Sequence, residues 1–422
     1  MKVVGLIAEY NPFHNGHLYH LKKTKKITEA DFTICVMSGN FVQRGEPALV
    51  DKWARTKMAL SAGIDLVIEL PVCYAVGSAE TFAFGSIKTL EATGVVDSIC
   101  FGSESGDLRI LKDISKVLLT EPPEFIDILK KELKKGLVYP KARELALKYF
   151  FESYKSIDTQ ILTNLIDTIK KPNNLLGIEY LKALSRLNSN ITPLTIKRIS
   201  NRNDCDFIKG KITSASKIRS QILLRKKLTL KTLDYLPEFS QKVLLQEFKK
   251  GKGPIGMDDL TALMLGILRK SSLEQLRCYR DVSEGLENRI LRFSKNSTTI
   301  HELLMAIKTK RYTLTRLQRI LIHILLGIKQ EYLADFDENG GPRYLRILGF
   351  SSRASTLLKA IKKKSELPVI VKTAHYKKIQ DHILHKMIYF DLLSSDIYSL
   401  FFKNPFYRKG GIDFYKKVII KS

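Results

Sequence analysis

The first two hundred residues alternate between two kinds of pattern, and that alternation narrows the fold more than any other feature. Short apolar runs at Lys2–Tyr10, Phe32–Ser38, Leu66–Pro71 and Ser98–Gly102 are separated by helical patterns at Gly16–Thr28, Asp51–Ala62 and roughly Ala75–Thr93. Buried-strand runs joined by helices of this length are βαβ crossovers, which need a parallel sheet covered on both faces. A later strand, Pro193–Ile199, precedes the helix start ITSASKIRSQILL, and Asp107 to Leu187 is mostly helical. From about Lys227 the grammar changes. Amphipathic stretches such as MDDLTALMLGILRKSS, LENRILRFSK, TIHELLMAIKTK and YTLTRLQRILIHILLGI take over, broken by glycine-rich turns at 251–256 and 338–342. LPVIVKTA (367–374) is the lone strand candidate there. The expectation is an α/β parallel-sheet domain over 1–226, with a helical insertion at about 107–190, then a mainly α-helical basic domain over 227–422.

Charge sharpens that division. The chain of 422 residues carries 70 Lys and Arg against 43 Asp and Glu, a formal charge of +27. Residues 1–200 are nearly balanced, 27 against 22, whereas residues 201–422 carry 43 against 21. An excess concentrated in one half points to a polyanion-facing surface, with nucleic acid as the leading partner and acidic lipid as the rival. A hydrophobic content of 44% excludes a disordered chain. No run approaches the ~20 apolar residues of a membrane span. The opening MKVVGLIAEYNPFHNGH turns polar after about ten residues and lacks a secretory cleavage site. Cys35, Cys73, Cys100, Cys205 and Cys278 are scattered and never form CxxC, so neither a disulfide framework nor a metal site is expected. A reduced, cytoplasmic protein without a membrane anchor fits these observations.

The sharpest local signal is AEYNPFHNGHLYHL, residues 8–21. A buried strand ends near Tyr10, Pro12 turns the chain, and Asn15-Gly16 reads as a tight turn before a helix bearing His14 and His17 on one face. The carboxyl end of a first parallel strand is where ligands bind, and a helix N-terminus there offers N–H groups and a positive dipole end to phosphate. Gly16 keeps a side chain out of the way of such a ligand. Two imidazoles can donate to phosphoryl oxygens and stabilise charge that develops in phosphoryl transfer. A second candidate phosphate element is ITSASKIR (212–219), where Ser214 or Ser216 suits an N-cap and Lys217 and Arg219 reach out from the first turn.

HNGH in this context resembles the HxGH signature of the nucleotidyltransferase and class I synthetase superfamily, whose Rossmann-like domain activates substrates at the α-phosphate of ATP. ITSASKIR is similar to the second phosphate element of the small-molecule members, and no KMSKS-like segment is present. The blocks VGLIAEYNPFHNGHLYHL, SGNFVQRGEPALVDKWART (38–56), PNNLLGIEYLKAL (172–184), ITSASKIR, DVSEGLENRI (281–290) and KRYTLTRLQRILIHILLGI (310–328) resemble, in order, the bacterial tRNA(Met) cytidine acetate ligase family over nearly the whole chain.

The resemblance implies a two-step reaction in which acetate and ATP give acetyl-adenylate, and the acetyl group then passes to the wobble cytidine of elongator tRNA(Met). It places ATP on Ile7, Ala8, Glu9, Tyr10, Asn11, Pro12, Phe13, His14, Asn15, Gly16, His17, Leu18, Tyr19 and His20. It further places ATP on Gly102, on Asn173 or the adjacent Asn174, and on Arg198. His14 and His17 are then the catalytic pair, helped by the backbone amides of 15–18 and by Ser216, Lys217 and Arg219. Mg²⁺ is expected to travel with ATP rather than on a protein metal site. Gln43, Arg44, Lys52, Trp53 and Arg55 suit either a base-binding surface or a loop and capped helix with Trp53 in the core. Two other readings remain open: a nucleotidyltransferase moving AMP to a small phosphate or acid, and a non-catalytic RNA-binding protein that kept a nucleotide pocket.

Overall fold

A computed structural model describes residues 1–154, 168–199 and 211–422, and Cys205 lies outside the described residues. The strands are Val3–Ala8 (β1), Phe32–Ser38 (β2), Phe41–Val42 (β3), Glu46–Pro47 (β4), Leu66–Leu70 (β5), Ser98–Ser103 (β6), Thr192–Lys197 (β7), Leu345–Ser351 (β8), Val369–Ile370 (β9) and Ile419–Lys421 (β10). The chain folds as two compact units, one made of Met1–Asp97 with Ile199–Ser422 and the other of Ser98–Arg198.

In the first unit β1 and β2 pair in parallel from Val3 opposite Phe32, and β2 and β5 from Ile34 opposite Leu66. Nearly every residue of these three strands is buried, as the uninterrupted apolar runs require when helices cover both faces. The crossover helices are Asn15–Thr28, Lys52–Ser61 and Ala79–Glu91. Asp51 caps the second, its carboxylate accepting from Ala54 N at 2.7 Å.

The sheet then continues with strands from the far end of the chain. β8 pairs antiparallel with β5, and β9 and β10 pair in parallel with β8. This corrects two expectations. The run 367–374 supplies only the two-residue β9, while LRILGFS, within the stretch expected to be mainly helical, is the seven-residue β8. The expected boundary at 226/227 does not coincide with the compact units, because β8 and β10 carry the C-terminal half back into the first unit.

A buried ionic cluster fastens that return. Lys52, fully buried, places Nζ 2.7 Å from Glu69 on β5 and 2.9 Å from Asp413. Arg346, near the start of β8, reaches Asp413 at 2.7 Å and Glu69 at 3.2 Å. Asp391 lies in the same region, accepting from Val72 N and from the Tyr344 hydroxyl. Burial, reinforced by the negative charge of Glu69, pushes the Asp391 carboxyl up to about 7.

The second unit has β6 and β7 in parallel register, Ser98 opposite Thr192 and Ser103 opposite Lys197. Between them, among the described residues, lie the helices Leu108–Thr120, Pro123–Lys134, Tyr139–Tyr154 and Pro172–Arg186. The last of these lies close on β6: a Cβ on Gly177 would come within 2.6 Å of the Phe101 ring.

Candidate active site

The peptide following β1 departs from regular structure at Tyr10, whose φ of 46° lies in the left-handed region. The helix begins at Asn15, one residue before its expected start at Gly16, so Asn15 and Gly16 are its first residues and His14 is its N-cap. His14 Nδ1 accepts from Gly16 N at 3.0 Å, and His17 Nδ1 accepts from His14 N at 3.3 Å. Each ring nitrogen that accepts an amide proton cannot carry one, so each neutral imidazole holds its proton on Nε2. The rings stack at 3.8 Å with 26° between their planes, and Tyr10 and Phe13 flank His17 at 5.0 and 5.6 Å. The pair thus shares one tautomer and one orientation, set by the helix cap.

This geometry corrects two roles expected from the sequence. A Cβ on Gly16 would sit 2.8 Å from His14 Cε1, so the missing side chain makes room for the imidazole itself rather than directly for a ligand. The amides of residues 15–18 are also already engaged. Asn15 N donates to Tyr235 O, Gly16 N to His14 Nδ1, and His17 N and Leu18 N both donate to His14 O. The backbone amides at the start of this helix are therefore committed to acceptors within the chain itself.

The surrounding residues hold this segment in place. Asn11 Oδ1 accepts from Leu49 N, and Asn15 Nδ2 donates to both Lys211 O and Asp234 O at 3.0 Å. Glu9 accepts from Gln43 N at 2.8 Å, and burial raises its carboxyl above the usual range. Arg55, fully buried, donates to the carbonyls of Glu9, Ser38, Gly39 and Val50, tying the ends of β1 and β2 to one point.

The segment ITSASKIR lies beside the histidine segment, with Ile212 Cγ2 3.6 Å from the position of a Gly16 Cβ. Ser214 caps the helix Ala215–Arg225 by accepting from Lys217 N, and Ser216 and Lys217 are exposed. Arg219 differs from expectation. Its guanidinium is buried, donating to Asn11 O at 2.8 Å and to the Glu46 carboxylate, so it braces the histidine segment against β4 instead of facing outward. Glu46 is a supporting residue that nothing in the local sequence pattern signalled.

In the second unit, Gly102 and Arg198 share the carboxyl edge of the β6–β7 pair, where Arg198 N donates to Ser103 O at 2.8 Å and its side chain is exposed. The two candidate asparagines have separate duties. Asn174 is 1% exposed, accepts from Glu104 N and Ser105 N, and donates to Thr168 O. Asn173 is half-buried, and its Nδ2 donates to Glu104 Oε1 at 2.6 Å. Glu104, two residues beyond Gly102, also accepts from Asn174 N and so caps the helix Pro172–Arg186 from a distant loop.

Among the described residues no group of three His, Cys, Asp or Glu could hold a metal ion, and no helix is long and apolar enough to cross a membrane.

An imidazole pair at a helix start behind the first strand of a mainly parallel sheet defines a class. The chain belongs to the HIGH nucleotidyltransferase family, whose model matches residues 1–412. Within it the chain groups with the tRNA(Met) cytidine acetate ligases. It is 48% identical over 422 residues to that enzyme of Acetivibrio thermocellus, covering 100% of both chains. It is 46% identical over 420 residues to that of a Thermoanaerobacter species, covering 99% of this chain and 100% of the relative. A crystal structure of Thermotoga maritima TmcAL bound with alpha-thio ATP superposes with a TM-score of 0.92 at 36% identity, over 100% of each chain.

Proposed function

We propose that this chain couples ATP, carried as its Mg²⁺ complex, to the acetylation of the wobble cytidine of elongator tRNA(Met), and does so in the cytoplasm. An acetate oxygen attacks the α-phosphorus, the bond to the β-phosphate breaks, and pyrophosphate leaves. The cytidine exocyclic amine then attacks the acetyl carbon. AMP departs with the bonding electrons and the amine loses a proton, giving N4-acetylcytidine. Acetate is an anion at neutral pH, so the first step needs no general base.

The observation that carries this reading is the His14–His17 pair. Two imidazoles held in one orientation by the helix cap suit the oxygens of a phosphate that gains charge on attack. Lys217, exposed in the first turn of its helix, adds positive charge for the leaving pyrophosphate. Gly102, Asn173 and Arg198 are assigned to the nucleotide, and Asn174 to the support of its loop. Relatives named for cytidine acetylation, and a fold neighbour bound to an ATP analogue, support the choice of substrates.

The test incubates the protein with labelled acetate and ATP, with and without tRNA(Met) transcript. Acetyl-adenylate without RNA and acetylated tRNA with it are expected. His14→Ala and His17→Ala are expected to lower adenylate formation by about 100-fold or more. Folded variants of both that acetylate tRNA at full speed would refute the assignment, and AMP transfer to another acceptor would refute the reaction.

A further inference from the structure

A cavity of about 200 Å³ lies in the first unit, with the helix Lys52–Ser61 forming one wall. On that helix Trp53 and Lys57, four residues apart, share a face that lines the cavity, while Arg55 holds the Glu9 carbonyl at 2.7 Å. The floor is electrically settled. Lys252, 5% exposed, is gripped by Asp51 at 2.6 Å and Glu247 at 2.8 Å. The rim is not. Lys57, Lys250, Lys416 and Lys417 are all exposed, and among the described residues no carboxylate lies within ion-pair distance of Lys57, Lys416 or Lys417. Five lysines against two carboxylates leave the lining at +3. Burial, with repulsion from Lys252 and Lys57, lowers the Lys416 ammonium below its ordinary value. Like charges gathered around a concavity disfavour one another until an anion enters.

The neighbourhood specifies which anion. Trp53 is 6% exposed and lines the cavity, and its buried indole N–H has no partner. Tyr407 lines it too, and Phe406, 69% exposed, packs edge-on to Tyr407 at 5.3 Å, with Lys409 Nζ 5.6 Å from the centre of the Phe406 ring. Cations alternating with uncovered aromatic rings suit a polymer that offers phosphates at intervals and unpaired bases between them; a free phosphate uses only the cations.

We propose that this cavity is an RNA-backbone site, seating a phosphodiester among Lys57, Lys416 and Lys417 with an adjoining unpaired base against Tyr407 and Phe406. The proposal rests on the RNA-substrate reading above and gives the helix Lys52–Ser61 two faces, one supporting the nucleotide segment and one holding RNA.

Trp53 is the only tryptophan in the chain, so its emission reports on the cavity directly. Unmodified tRNA(Met) transcript is expected to change that emission in a salt-reversible way, while millimolar inorganic phosphate does not. Lys57→Ala/Lys416→Ala/Lys417→Ala is expected to raise KM for tRNA about tenfold or more, at unchanged kcat and unchanged RNA-independent adenylate formation. The slope of log affinity against log salt should become shallower by about one for each phosphate that the variant no longer neutralises. An unchanged KM and salt slope overturns the proposal. A full Trp53 response to inorganic phosphate also overturns it, by making the cavity a site for a free anion. Should the triple variant not fold, the wild-type titration decides alone. Should the wild-type enzyme acetylate no tRNA, the proposed reaction fails, and the Trp53 response to RNA still judges the cavity separately.

Discussion

Replacing Arg346 by Met removes one of two cations from a cluster in which Lys52, Glu69, Arg346 and Asp413 are each no more than 2% exposed. With the Asp391 carboxyl pushed up to about 7 by burial, below that pH the cluster balances two cations against two carboxylates. The variant leaves Lys52 alone with Glu69 and Asp413. Breaking a buried pair on one side costs about 3–5 kcal/mol, because an uncompensated charge stays in a medium that cannot solvate it. For a chain of 422 residues that corresponds to a melting temperature lower by roughly 3–6 °C. Arg346→Met/Asp413→Asn restores one cation to one carboxylate and is expected to recover at least half of the loss, even though it removes more polar groups. Thermal melts followed by circular dichroism and by Trp53 emission, whose ring lies 5.6 Å from Lys52 Nζ, read both variants. A single variant within about 0.5 kcal/mol of wild type, or a double variant less stable than the single, refutes the reasoning.

Asp391 binds its proton more tightly in the folded chain, about 7 against an ordinary 3.8, so its contribution to stability is lost as pH rises from about 4 to about 7. Asp391→Asn should flatten part of that decline in melts across pH, Glu9 acting in the same sense; an unaltered profile contradicts the assignment. Gly16→Ala puts a methyl against the His14 ring and is expected to cut adenylate formation about tenfold or more while shifting stability by under about 1 kcal/mol; full activity would show that the ring's position is immaterial. Asn174→Ala strands the amides of Glu104 and Ser105 and should cost about 1–3 kcal/mol in unfolding experiments, whereas Asn173→Ala should mainly raise KM for ATP; the reverse pattern would exchange their roles.

Much of the histidine segment was legible because its signals are local. An apolar run, a proline and an HNGH sequence place a strand, an exit and a helix start within fifteen residues. The pairing of β8 with β5 was not legible. YLRILGF has an arginine near its start and LVIEL a glutamate near its end, and each charge alone argues against a buried strand. They are buried because they meet each other, a fact that depends on residues 277 positions apart. The same limit applies to Arg219, whose place in a phosphate-like motif concealed its attachment to Asn11 and Glu46, and to Asn15, which holds Lys211 and Asp234 from across the sequence.

The return of β8 also sets a timetable for the ribosome. β5 ends at Leu70 and its neighbour begins at Leu345, so the growing sheet keeps an unpaired apolar edge while 274 further residues are made. At ~5–20 residues per second that interval lasts roughly 15–55 s. A nascent chain in that condition is a natural client for chaperones, and fragments that stop short of residue 345 are expected to aggregate rather than retain a working first half.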